Sequence, residues 1–103
     1  METCVLLELE RRGAEIAYVR TEGGFEVDFL ARYPDGKEDL IQVCADFDTA
    51  ETREREARAL LEAADEYKRA SLLLITLQAQ QARDLPRPLS VLDAVTWMLG
   101  EQQ

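Results

Sequence analysis

Two short runs hold the residues of this chain whose types and spacing suit chemistry. Asp28 lies in Phe25-Glu-Val-Asp-Phe-Leu-Ala-Arg32, and Gln42 and Cys44 lie in Asp39-Leu-Ile-Gln-Val-Cys-Ala45. Both runs read as strands joined by a turn, so an acid and an amide sit near the centres of neighbouring strands. A carboxylate and a neutral carbonyl oxygen are hard donors of the kind a divalent cation such as Mg²⁺ accepts. A thiol at its ordinary pKa is mostly neutral, so Cys44 brings no fixed positive charge beside them. The chain has no histidine, which removes imidazole acid–base catalysis and imidazole metal ligation.

The elements that must position these residues follow from pattern. Residues 1–12 place Val5, Leu6, Leu7 and Leu9 among charged neighbours and end at Gly13, where a left-handed cap fits a helix terminus. Residues 15–20 form a short strand, closed by the Thr21-Glu22-Gly23-Gly24 connection. In 25–32, Phe25, Val27, Phe29 and Ala31 alternate with Glu26, Asp28, Leu30 and Arg32, which predicts one wholly apolar face. Tyr33-Pro34-Asp35-Gly36 has the composition of a turn. The strand at 39–45 then puts Ile41, Val43 and Ala45 on one face and Leu40, Gln42 and Cys44 on the other.

Asp48 or Thr49, with Glu51 beyond, predicts a capped helix running to about Lys68, with Ala57, Leu60, Leu61 and Ala64 inward. The apolar run 71–76 suits a strand buried on both faces. Residues 78–88 read as a loop and 89–92 as a last short strand. Asp93 then caps a closing helix that carries Val95, Trp97, Met98 and Leu99. The order is helix, three strands, helix, two strands, helix: an α/β domain over 1–103, with a central mixed sheet of about five strands flanked by helices.

Composition narrows the function classes. With 103 residues the chain suits one core, and 47% hydrophobic with 32% charged residues suits a globular domain. Twelve basic against 21 acidic residues give a net charge of -9, which opposes non-specific adhesion to nucleic acid. Cys4 and Cys44 are too few for a disulfide framework, and we read both as reduced core thiols of a cytoplasmic protein. The longest apolar run, Leu72 to Ile75, is too short to span a bilayer. No Walker-type phosphate loop occurs, so ATP hydrolysis is not housed in this stretch.

This element order, with Glu-Val-Asp-Phe at 26–29 and Ile-Gln-Val-Cys at 41–44, resembles the PD-(D/E)XK, or restriction-endonuclease-like, nuclease superfamily. More narrowly, the chain is similar to a C-terminal domain attached to many archaeal and bacterial AAA-type ATPases. There an opening helix Val-x-Leu-Glu-Leu-x-Arg-Arg-Gly is common, matched here from Val5 to Gly13. Tyr18-x-Arg20-Thr21, Thr52-Arg53-Glu54-Arg55-Glu56, Leu73-Leu74-Ile75-Thr76 and Trp97-Met98-Leu99 extend the likeness to nearly the whole chain.

The resemblance implies a helical Glu, a strand Asp and an acid-x-Lys tripeptide around one Mg²⁺ or Mn²⁺. By position these are Glu8, Asp28, Gln42 and Cys44, with Glu8, Asp28 and Gln42 as the metal ligands. The chain departs from that pattern where Gln42 replaces an acid and Cys44 replaces the lysine. It also implies an ATPase module as partner, or DNA held through Arg53, Arg55 and Arg58.

Each position has a plainer reading. Asp28 is a ligand or a solvated strand residue, and Glu8 a ligand or a helical partner of Arg11 or Arg12. Gln42 is a weak ligand or a hydrogen-bonding group within the sheet, and Cys44 packs. The arginines are a DNA contact or a solvated helix face, and Trp97 is a core anchor or an exposed docking residue. Two functions follow: a metal-dependent nuclease with a degenerate motif, or a non-catalytic DNA-binding, regulatory or protein-interaction module.

Overall fold

The structure, a computed structural model, describes residues 2–44, 50–76 and 89–100. Helix α1 (Glu2–Arg11) leads into a meander of β1 (Glu15–Arg20), β2 (Glu26–Arg32) and β3 (Glu38–Cys44). Helix α2 (Ala50–Ala64) precedes β4 (Ser71–Thr76), and β5 (Ser90–Asp93) leads into α3 (Ala94–Gly100). The meander is antiparallel, and β4 lies parallel to β3, which makes a four-strand mixed sheet. The four residues of β5 align parallel beside β4. The expected mixed α/β architecture with flanking helices is therefore present. Among the described residues no helix is long and apolar enough to cross a membrane.

Helix α1 ends as its glycine predicts. Gly13 has φ 79°, its N–H donates to Glu10 O, and the Ala14 N–H donates to Leu9 O. These two bonds form a Schellman cap, and Ala14 packs against the cluster that holds Leu9. Alternation along the central strands then distributes the core over two faces. Leu40 and Cys44 of β3 join Leu72 and Leu74 of β4 beneath Ala59, Leu60 and Ala63 of α2. Ile41, Val43 and Ile75 join Val5 and Leu9 of α1 and Ala94 and Trp97 of α3 on the opposite face. Trp97 is thus a core anchor.

Strand β2 does not keep one apolar face. Ala17 pairs with Leu30 and Val19 with Val27, so Tyr18 alone faces both Asp28 and Phe29. This bulge inverts side-chain parity. Val27 and Leu30 join the α2 cluster with Phe25 packed against it, whereas Phe29 and Ala31 belong to the α1/α3 cluster.

Other boundaries also move. Helix α2 stops at Ala64 rather than Lys68, because Asp65 N–H and Glu66 N–H donate to carbonyls only three residues back and the chain tightens into a turn. Asp93 ends β5 and immediately precedes α3, the position its expected role as a cap requires. Cys4 is exposed rather than in the core, since the buried stripe of α1 runs through Val5 and Leu9, and Leu7 is 58% exposed. The expected caps Asp48 and Thr49, the strand end Ala45 and the loop 78–88 lie outside the described residues.

Candidate functional site

The bulge decides what Asp28 and Gln42 do. The β2–β3 ladder runs from Arg32↔Glu38 to Phe29↔Ile41, and beyond it side chains take over the bonding. Asp28 N–H donates to Gln42 Oε1 at 2.8 Å, and Gln42 Nε2 donates to Glu26 O at 3.1 Å. Val43 N–H in turn donates to Asp28 Oδ2 at 2.9 Å. The Gln42 amide, with one donor and one acceptor side by side, stands in for a peptide group of β3. The Asp28 carboxylate replaces a carbonyl of β2. Such substitutes matter because a buried backbone N–H or C=O left without a partner is costly. Gln42 is only 4% exposed.

Asp28 and Gln42 thus meet, at the wall of a hollow of about 490 Å³ between β2 and α2. Phe25, Glu26, Arg55 and Glu56 also line it. Glu56 reached this place unannounced by the strand motifs; its only sequence signal was the match of the α2 opening. Arg55 Nε lies 3.6 Å from Glu56 Oε2, and the Arg55 side chain is 72% exposed. Arg58 reaches back over the Phe25 ring, 5.2 Å from its centroid. Cys44 is buried in the α2 cluster, where a small apolar group packs. The side chain of Arg53 is outside the described set.

Glu8 is elsewhere. Its helix covers the opposite face of the sheet, and its carboxylate accepts hydrogen bonds from Arg11 and, at 2.8 Å, from Arg12 Nε. The hydrogen-bonded Arg11 guanidinium chiefly holds the Glu8 carboxyl below its ordinary pKa, against a smaller opposing effect of burial. Arg12 also donates to Trp97 O at 2.8 Å and stacks 4.2 Å from the Trp97 ring centroid. Close by, Tyr33 O–H donates to Asp39 Oδ2 at 2.9 Å. Burial raises the pKa of both groups; for Asp39 the tyrosine bond and Arg12 oppose that rise. The Arg12–Trp97 bond of this network spans 85 positions, and no local pattern in the sequence connects its ends.

The structure therefore brings Asp28 and Gln42 together, leaves Glu8 on the far face, and buries Cys44. A divalent cation wants several oxygen donors converging on one point. Here one Asp28 oxygen and the Gln42 carbonyl oxygen are engaged by backbone N–H groups. Among the described residues no three acidic or sulfur side chains gather as a ligand set. The arrangement does not fit the metal that the motif positions imply, and its chemistry is that of a hydrogen-bonded brace beside an acidic hollow. Comparison of the chain with protein-family models, with curated proteins and with solved structures finds no match.

Proposed function

We propose that this chain is a restriction-endonuclease-like domain whose catalytic positions serve the fold, and that it acts as a non-catalytic protein-interaction or regulatory module of an AAA-type ATPase. The observation that carries this reading is the engagement of Asp28 and Gln42 with the backbone of the splayed strands. The order of helix, three-strand meander, helix and parallel strand supports the fold assignment. A nuclease needs a charge near the scissile phosphate, and the buried Cys44 supplies none.

Charge favours a basic protein partner over DNA. The hollow beside Asp28 and its neighbour along α2 are lined by Glu26, Asp28, Glu51, Glu54 and Glu56 against Arg55 and Arg58. Arg58 is held over Phe25, so among the described residues lining the two hollows acidic side chains outnumber the cations offered to a phosphate backbone.

Two assays test the proposal. Incubation with single- and double-stranded DNA in Mg²⁺ or Mn²⁺ should give no cleavage above that of Asp28→Ala. Cleavage that requires metal and vanishes in Asp28→Ala would overturn it. Titration with a labelled lysine-rich peptide should show binding that weakens with salt and with Glu56→Gln, while a duplex of equal charge should not bind. Preference for the duplex would move the reading to a DNA-binding module.

A further inference from the structure

The β1–β2 hairpin outruns its neighbour. Its own ladder continues past the bulge to Arg20↔Glu26, whereas the β2–β3 ladder has ended at Phe29↔Ile41. The projecting tip leans on α2 instead of on a strand. It is also self-contained. Thr21 N–H donates to Phe25 O at 2.9 Å, Gly24 N–H to Thr21 O at 3.0 Å, and Phe25 N–H to Thr21 Oγ1 at 3.1 Å. Moving the tip as one piece breaks none of these bonds.

The tip is held to the body by few bonds, besides the packing of Phe25 against the α2 cluster and the burial of Thr21. Glu22 N–H donates to Glu66 Oε2 at 3.1 Å, Arg58 covers the half-buried Phe25 ring, and Gln42 Nε2 donates to Glu26 O. Immediately behind the tip the opposite holds: the paired residues Val19 and Val27 are both buried in the α2 cluster. A firm anchor followed by an internally bonded tip that rests on a helix rather than on a neighbouring strand has the anatomy of a hinge.

The tip also sits where movement has a consequence. The hollow beside Asp28 and Gln42 and a second one of about 420 Å³, beside Glu51, Glu54 and Arg58, share Phe25 and Arg55 as lining. Phe25 belongs to the tip and stands between them.

We propose that residues 20–26 form a flap hinged at the Val19–Val27 pair, with Phe25 as its latch on α2. When the flap lifts, the two hollows merge into one groove along α2. This goes beyond the binding role proposed above and does not depend on it: a flap that moves with no peptide bound leaves the motion intact and the binding assay to stand by itself.

Thiol labelling tests it. Ala59 lines the first hollow and is 6% exposed, so Ala59→Cys, on a Cys4→Ser background, places a thiol under the flap. Cys44, buried in the same cluster, reports opening of the whole domain. The position-59 thiol should react faster than Cys44. Arg58→Ala should speed it roughly two- to fivefold, the range of an exposed cation–π contact, and leave the Cys44 rate unchanged. Equal rates at both thiols, or no response to Arg58→Ala, would overturn the proposal. If Ala59→Cys does not fold, hydrogen exchange on the unaltered chain decides. The Glu22 amide should exchange well ahead of the amides of β3 and β4, and equal protection would sink the flap.

Discussion

The two faces of the sheet solve the same problem with opposite means. On the α1/α3 face the polar groups are charged and partly buried: Arg12 joins Glu8 to the Trp97 carbonyl, with Tyr33 and Asp39 close by. On the α2 face the amide of Gln42 is buried and neutral, and its partners are backbone atoms. Burial explains the division. A charge withdrawn from water is expensive unless it is paired and hydrogen-bonded, and Glu8 and Arg12, with side chains 12% and 13% exposed, answer each other across one helical turn. An amide carries a donor and an acceptor without net charge, so it can be enclosed between separating strands at little cost. The residues that read as chemistry in the sequence thus lie at the point where the sheet needs a brace.

The contrast can be broken from either side, and the largest effect is expected on the α2 face. Gln42→Leu leaves Asp28 N–H and Glu26 O without partners and should lower unfolding free energy in urea by about 2–4 kcal/mol. Gln42→Glu keeps an acceptor but loses the donor to Glu26 O. Its deficit should narrow in acid, where a protonated carboxyl donates again; an unchanged gap would deny the amide its bridging role. On the other face Arg12→Ala removes a charge-assisted bond and a stacked ring contact and should cost about 2 kcal/mol. Arg12→Lys should recover only part of this, since an ammonium cannot fork between partners.

Smaller effects sharpen the same comparison. The pKa of Asp39 is raised by burial, so the folded chain holds its proton more tightly than the unfolded chain. Its contribution to stability is therefore favourable in acid and declines as pH rises from below the ordinary 3.8 through the raised folded value. Asp39→Asn keeps an acceptor for Tyr33 O–H and removes that decline. The variant should gain on the natural chain between pH 3 and pH 7 in paired urea titrations, and a constant difference would show that Asp39 titrates as it does unfolded. Least affected should be Arg11→Ala, whose side chain is 61% exposed, with a loss below about 0.5 kcal/mol.

Much of the architecture is written locally. Gly13 marks the end of α1, and the apolar run 71–76 coincides with β4, because a cap and a buried strand depend on residues close in sequence. The facing of β3 also follows its alternation. Strand β2 departs from the strict alternation its residues predict, because the bulge interrupts it. Val27 and Leu30, three residues apart, share the α2 face, so parity changes at Asp28–Phe29, and the run Phe29-Leu30-Ala31 reflects burial on both faces. The placing of Asp28 beside Gln42 followed from strand adjacency, but the backbone groups they hold followed from the bulge. Neither the separation of Glu8 from them nor the reach of Arg12 to Trp97 has a local signature, since both depend on which face each helix covers.

The parallel pairing of β3 with β4 has a consequence for how the chain assembles. Strands β1 to β3 meet their partners through short reversals, whereas β4 can join β3 only after the polypeptide has travelled out along α2 and returned. Closing that long excursion spends chain entropy before any contact repays it. The meander is accordingly expected to form early and the α2–β4 unit to join late. Weakening the Tyr33 to Lys37 reversal should slow folding, while trimming Leu60 on α2 should chiefly quicken unfolding.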